Sequence, residues 1–466
     1  MIQKSLTPKL DNSPSASSCL GRTKTNITIM NPNESTIRKM TRLAIKNSAV
    51  NLSQGFTDES PPFELVWGGI AALLGGTDKN IERIEGYTIK EALEKSPGNS
   101  LDIFSTHIKD VLAGLQDSSD LFNQYSFPFG LPELRQTISN YTERFHGFKP
   151  DPDTEITVVS GATEGLAVAL RTLCKPNDGI IIVQPFHEMY PSQAKLFGLR
   201  PFYVSLRENL SANRWQLDEA ELVNAAKQGA RVLILNTPHN PTGKVFTQDE
   251  LMLIANICRT HNLLVITDEI YEHVIHVDRP HYCLASFDKM RERTLVVNSI
   301  SKTGNATGWR VGWVLSPSNY TSTLRGIHDT LTMQAPTPLQ KGAKKLLELS
   351  DDFYRNISVS YQMKRDILMT GLQQAGFRIT PPEGAYYLFA DYRRIPKLKN
   401  LSPTQAAMFL IEEIGVAPVP GDTFYNISDV NTSEQNHNRY LRFAFCRSID
   451  TLRKATNRLA ALTANP

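Results

Sequence analysis

Between about residues 155 and 315, short apolar runs alternate with stretches whose apolar residues recur at helical spacing. The runs are TEITVVS, GIIIVQP, RPFYVSL, ARVLILN, LLVITDE, RTLVVNS and RVGWVLS. Several are apolar at consecutive rather than alternate positions, as expected of strands buried on both faces. Between them, TEGLAVALRTLC and TQDELMLIANICRTH carry the helical pattern. This alternation predicts an α/β fold with a mainly parallel, seven-stranded sheet covered by helices on both faces. Ligands in such folds sit beyond the carboxyl ends of the strands. Gly161, His187, Asn236, Asp268 and Lys302 each follow a run and are expected there.

After about residue 330 the pattern changes. A helical stretch over about 338–374 leads to FRITPPEGAYYLFADY, read as strand, turn and strand, and a last helix over about 450–462 follows RYLRFAF. Residues 331–466 are therefore expected to form a smaller α+β domain beside a large domain, 56–330, with residues 31–55 packing on the smaller one. Residues 75–120 are polar, with helical patterns at TIKEALEKS and IFSTHIKDVLAGL, and read as an insertion. Residues 1–30 are rich in Ser, Thr, Asn and Lys, and Asp11 is their only acid. Few arginines and no amphipathic period favour a disordered extension over a transit peptide, and Met30 would serve as an alternative start.

Composition changes this picture little. The 466 residues carry a net charge of +3 and 41% hydrophobic content, enough for two cores. The small charge gives no reason to expect a nucleic-acid partner or a membrane surface, and no apolar run spans a bilayer. The five cysteines (Cys19, Cys174, Cys258, Cys283, Cys446) are scattered, odd in number and without metal spacing. A reduced, cytoplasmic protein with no metal is expected.

The candidate chemistry centres on SISKTGNATGWRVGW, residues 299–313. Lys302 there follows a buried run and precedes Arg310 by eight residues. Desolvation and a neighbouring cation lower a lysine's pKa and free its lone pair for an aldehyde. Ser299 and Arg310 supply the hydroxyl and guanidinium that a phosphate monoester needs. A Schiff-base lysine holding pyridoxal 5'-phosphate (PLP) is the natural reading.

Other motifs point the same way, each with a plainer alternative. SGATEG places Gly161, Ala162 and Thr163 at a helix N-terminus suited to phosphate, although a strand–helix turn commonly uses such residues. NTPHNPTGK carries Asn236 and Asn240, the latter able to donate its amide to a cofactor phenolate; a rigid proline loop is the alternative. DEIYEH sets Asp268 directly after LLVIT. It either faces a pyridinium nitrogen or caps the next helix. Tyr271 could share the phenolate with Asn240. Arg442, in an apolar run, grips a substrate carboxylate or sits in an internal ion pair.

The strings NLSQGF, NQYSFPFGLPELR, NTPHNPTGKVF, TDEIYEH, SKTGNATGWRVGWV and YLRFAF, in this order, resemble class I aminotransferases of the fold-type-I PLP superfamily. The similarity covers about residues 31–464 and is greatest to the kynurenine aminotransferase/glutamine transaminase K group. It implies a homodimer with shared active sites, in which Tyr125 reaches the partner subunit's phosphate. It also implies that Gly55 lines the substrate carboxylate site and that Lys302 shuttles a proton between the substrate α-carbon and the cofactor. The activity implied is ping-pong amino transfer from an amino acid to a 2-oxo acid or related carbonyl compound.

Some positions depart from the group. His187 stands where relatives stack an aromatic ring on the cofactor; its imidazole either binds the cofactor by stacking there too or is a satisfied loop histidine, and His239 replaces the second asparagine of NTPNNP. Ile37 lies near a tryptophan position of aromatic-selective relatives, and Met333 and Gln334 replace a Phe-His pair. A polar or non-proteinogenic donor side chain is expected rather than kynurenine. Two alternatives keep the same motifs: a β-lyase, eliminating cyclase or decarboxylase on this fold, and a non-catalytic aminotransferase-like regulator. The regulator would need a DNA-binding domain ahead of the fold.

Overall fold

A computed structural model describes residues 35–75, 78–95, 107–115, 122, 124–426 and 439–463. The expected extension, 1–30, lies outside the described residues, as does much of the segment between 95 and 122. The first short strand, β1 (Val50–Asn51), follows the helix Thr36–Lys46. All seven expected runs then form strands: β2 (Ile156–Val159), β3 (Gly179–Gln184), β4 (Arg200–Asn209), β6 (Ala230–Asn236), β7 (Leu264–Asp268), β8 (Thr294–Ser299) and β9 (Gly312–Leu315). An eighth, β5 (Arg214–Leu217), was not expected. It folds back antiparallel on β4 with only Trp215 fully buried, so its four residues carry no long apolar run.

The sheet order is β2-β9-β8-β7-β6-β3-β4-β5. Pairs among β8, β7, β6, β3 and β4 are parallel, whereas β9 runs antiparallel to β8 and β2. Alternate residues of β3 enter different cores, Ile181 and Val183 in one and Ile180 and Ile182 in another, which explains its unbroken apolar run. Each such side chain removed from water contributes about 1.5–3 kcal/mol. The strands also end in register: Asn236 sits opposite Asp268, and Ser299 closes β8. Three polar residues thus share one rim of the sheet.

A smaller antiparallel sheet follows, order β10-β11-β14-β13, from β10 (Arg378–Ile379), β11 (Tyr387–Asp391), β13 (Val419–Pro420) and β14 (Tyr440–Ala444). β12 (Val416–Ala417) pairs in parallel with β1. The expected long helix over 338–374 is two helices, Thr337–Leu347 and Asp351–Gln374. Ser350 is extended between them, and Asp351 and Asp352 begin a new first turn, where acids complement the helix dipole. In the insertion, both helical patterns fold, as Ile89–Glu94 and Ile108–Leu115, and Asp78–Glu85 adds a third helix. Ile84, Ala92 and Leu115 make a small core there, with Trp67 of the preceding helix packed against it. Among the described residues no helix is long and apolar enough to cross a membrane.

Candidate active site

A cavity of about 230 Å³ opens at the carboxyl rim of β6, β7 and β8. Lys302 sits beside it in a four-residue helix, Ile300–Thr303, whose N-cap Ser299 accepts from the Ser301 N–H. Its Nζ donates to the Gly55 carbonyl at 2.7 Å, and the same oxygen accepts from the Tyr386 hydroxyl at 2.6 Å. Burial lowers the Lys302 pKa to about 8, and Arg310 and Arg442 push in the same direction against Cys446 and Asp268. Both effects expected from sequence act here, and burial is the larger.

Asp268 lines the same cavity. Burial raises its pKa to about 6, partly offset by the Tyr190 hydroxyl, which donates to Oδ2 at 2.7 Å. Its Oδ1 is buried and has no partner among the described residues. No helix begins at Asp268, so the capping alternative does not hold. Asn236 Nδ2 donates to the Asp268 carbonyl at 2.9 Å, and Asn236 Oδ1 accepts from the Asn240 N–H at 2.7 Å, which ties the two loops.

Arg442, 1% exposed on β14, donates to Asn240 Oδ1 at 2.9 Å and to the Ser53 carbonyl at 2.8 Å. Both acceptors are neutral, and its Nε has no partner among the described residues. An internal ion pair is therefore not what holds it. Tyr387 and Phe424 flank the guanidinium, at 4.3 and 4.9 Å from the ring centroids. Tyr271 shares a hydrogen bond of 3.0 Å with the Tyr387 hydroxyl.

Ala162 and Thr163 open the helix Ala162–Leu173 and face the cavity, where first-turn N–H groups lack intrahelical acceptors. Gly161 has φ +82°, and a Cβ there would stand 2.5 Å from Arg310 Nη2. Only glycine lets the guanidinium lie against this turn. A Cβ on Gly55 would likewise overlap the Tyr387 hydroxyl. Arg310 donates to the Thr307 carbonyl at 2.9 Å.

His187 lines the cavity and accepts from the Met189 N–H through Nδ1. Burial, then Arg442 and Lys302, lower its pKa to about 3, so its ring is neutral. Ile37 also faces the cavity, but His239, Met333 and Gln334 do not. His239 bonds Thr242, and Gln334 accepts from Ser126. Of the five altered positions, His187 and Ile37 therefore meet this cavity. Tyr125 lies outside the cavity and is 77% exposed. Tyr190, Ser301, Thr307 and Tyr387 also line the cavity and were not singled out from sequence. For Tyr190 the signal was its place three residues after His187.

Residues 98–459 match the family described as aminotransferase class I and II. The chain belongs to that family. It is 29% identical to mouse kynurenine–oxoglutarate transaminase 1, over 92% of this chain and 95% of that protein. It is 32% identical to a probable N-succinyldiaminopimelate aminotransferase of Mycobacterium tuberculosis, over 92% and 96%. The solved structure of the N-succinyldiaminopimelate aminotransferase from that organism superposes with a TM-score of 0.77 at 31% identity, covering 92% of this chain and 98% of that one. This aminotransferase has the fold-type-I architecture and depends on PLP. Its residues fit that cofactor. The unpartnered Asp268 Oδ1 is an acceptor awaiting a ring N–H, and the Gly161 turn with Arg310 is a cradle that a Cβ would fill.

Proposed function

We propose that this aminotransferase moves an amino group from a polar or non-proteinogenic amino acid to a 2-oxo acid, by a ping-pong cycle run from the Lys302 cavity. One observation carries the reading: a depressed-pKa lysine, a buried unpartnered carboxylate and an arginine without an acidic partner all meet one small cavity. Bound PLP supplies an electrophilic carbon for the amine and an electron sink. Lys302 anchors it, then takes and returns the proton of the substrate α-carbon through Nζ, which the Gly55 carbonyl holds in place. Asp268 Oδ1 keeps the ring nitrogen protonated. Asn240 and Tyr271 bind the phenolate oxygen. Ser299, Arg310 and the N–H groups of Ala162 and Thr163 bind phosphate, with Gly161 leaving them room and Asn236 fixing the loop.

Arg442 binds the substrate carboxylate beside Gly55 and Asn240. His187 and Ile37 meet the donor's side chain, and the neutral imidazole offers a polar contact. We further propose a homodimer in which Tyr125 reaches the partner's phosphate; the exposed Tyr125 and Phe127 supply aromatic surface for it. The same reading packs 31–55 on the smaller domain, 331–466, beside 56–330, supported by the β1–β12 pairing. A cytoplasmic, biosynthetic setting accords with the four cysteines among the described residues, all free and buried.

The test is a donor half-reaction without acceptor, followed by the cofactor's absorbance and by released products. One 2-oxo acid per site with a polar donor is expected. Repeated release of pyruvate and ammonia would assign elimination instead, and fast response only to kynurenine or phenylalanine would overturn the donor class.

A further inference from the structure

Behind the strand that ends in Asp268, a second polar cluster is buried. Glu269 and Glu272 lie in the turn after β7, and His146 closes the helix Pro132–His146. His281 and Cys283 come from the segment before the short helix Leu284–Ser286. None of these five lines the PLP cavity. The two carboxylate side chains are 0% and 2% exposed, and among the described residues their ion-pair partners are histidines only. Buried carboxylates facing imidazoles leave negative charge uncompensated whenever the rings are neutral.

The ligand atoms of His146, Glu269 and Cys283 lie within 4.8 Å of one another, and so do those of Glu269, Glu272 and His281. Ligands at about 2.0–2.3 Å from a tetrahedral ion are roughly 3.3–3.8 Å apart, so a shift of about 1 Å would close either set. Three atoms here are buried without partners among the described residues: His146 Nδ1, His281 Nδ1 and Glu269 Oε1. Supporting groups are in place, because Glu272 Oε1 accepts from the Tyr141 hydroxyl at 2.5 Å and from Asn298 Nδ2 at 2.6 Å. An entry path exists as well: a cavity of about 700 Å³ reaches His146, Glu272 and His281.

We propose that His146, Glu269, His281 and Cys283 form a binding site for a single zinc ion, separate from the PLP site, with Glu272 holding the His146 ring through Nε2 at 2.7 Å. A mixed imidazole, carboxylate and thiolate set suits zinc rather than magnesium or calcium, which prefer oxygen alone. Binding exchanges the Cys283 proton for the metal, a net gain of one positive charge that offsets one of the two carboxylates. The ion ties the end of the helix Pro132–His146 to the turn that follows Asp268, so it braces the cofactor's aspartate from the opposite side. The sequence hid this set because His146 stands more than a hundred positions before the others, and the close pairs Glu269 with Glu272 and His281 with Cys283 match no familiar metal motif on their own.

The holoenzyme, stripped with dipicolinate, desalted and titrated with zinc chloride, should retain one zinc per chain by mass spectrometry. Cys283→Ser with His281→Gln should weaken binding at least about 100-fold, beyond the usual loss for an outer-shell change. Circular dichroism checks that this variant folds. Cobalt substitution of the unmutated enzyme gives a readout independent of the variant: strong visible bands of a tetrahedral site with a sulfur ligand. No zinc retained, equal retention by the folded double variant, or cobalt bound without those bands would each overturn the site and leave a hydrated polar network in its place.

Discussion

Lys302 and Asp268 are both held against their preferred charge states, and burial is the larger cause at each. For Lys302, the neutral nucleophile accumulates as pH rises through about 8. Capture of PLP by the apoenzyme should therefore accelerate over that range in stopped-flow absorbance; a midpoint near the ordinary lysine value would contradict it. Asp268 has the opposite linkage. Its folded pKa of about 6 lies above the ordinary 3.8, so the apoprotein loses stability as pH rises from 3.8 to 6 and does not regain it above. Asp268→Asn should then stabilise the apoprotein at pH 8 by about 3 kcal/mol in urea melts. The same change should lower kcat by about 100-fold or more. Lys302, Asp268, Asn240 and Arg442 were legible in sequence because each is a polar group set against an apolar run. Tyr190 and Tyr387 were not, because an aromatic residue in such a segment reads as core until its hydroxyl finds a partner.

At the scale of elements, the phosphate turn depends on the helix that follows it. Glu164 in its first turn accepts from the Ser160 N–H and from His328 Nδ1, both at 2.6 Å or less, and ties the turn to the helix Ser318–Leu331. The pair raises the His328 pKa and lowers that of Glu164, although burial opposes both shifts. The histidine's contribution is complete below its unfolded pKa and fades as pH rises through the raised one. The carboxylate's is complete above its unfolded pKa and fades in acid. The pair therefore stabilises most between about pH 4.5 and 6.5. His328→Gln should cost more stability at pH 5.5 than at pH 8.5; equal losses would remove the ion pair from the account. Gly161→Ala, forced to a positive φ against Arg310, should weaken PLP binding about 10-fold or more in equilibrium dialysis. The apolar runs made seven strands of the large sheet readable, including β2 and β9 with only four residues each. They missed β5, as short as β2 and β9 but with Trp215 alone buried, and the break at Ser350, where an extended residue and two acids opening the next helix decide rather than hydrophobic spacing.

For the whole molecule, the order of motifs along the chain identified the family before any contact was known, and three of them, NTPHNPTGKVF, TDEIYEH and SKTGNATGWRVGWV, stand at the ends of neighbouring strands of one sheet. The pairing of copies and the donor side chain are different matters, set by surfaces that no local pattern encodes. Tyr125→Phe should leave light scattering at two chains per particle while loosening PLP about 5- to 10-fold, the effect of one lost hydrogen bond. A single-chain particle with full activity would contradict the shared site.

The most direct test of the central claim is a single-turnover donor reaction of the PLP-loaded enzyme beside Lys302→Ala. The account predicts one equivalent of 2-oxo acid from the unmutated enzyme and no turnover from the variant, even where the variant keeps its cofactor. Transamination by Lys302→Ala at the unmutated rate would contradict it.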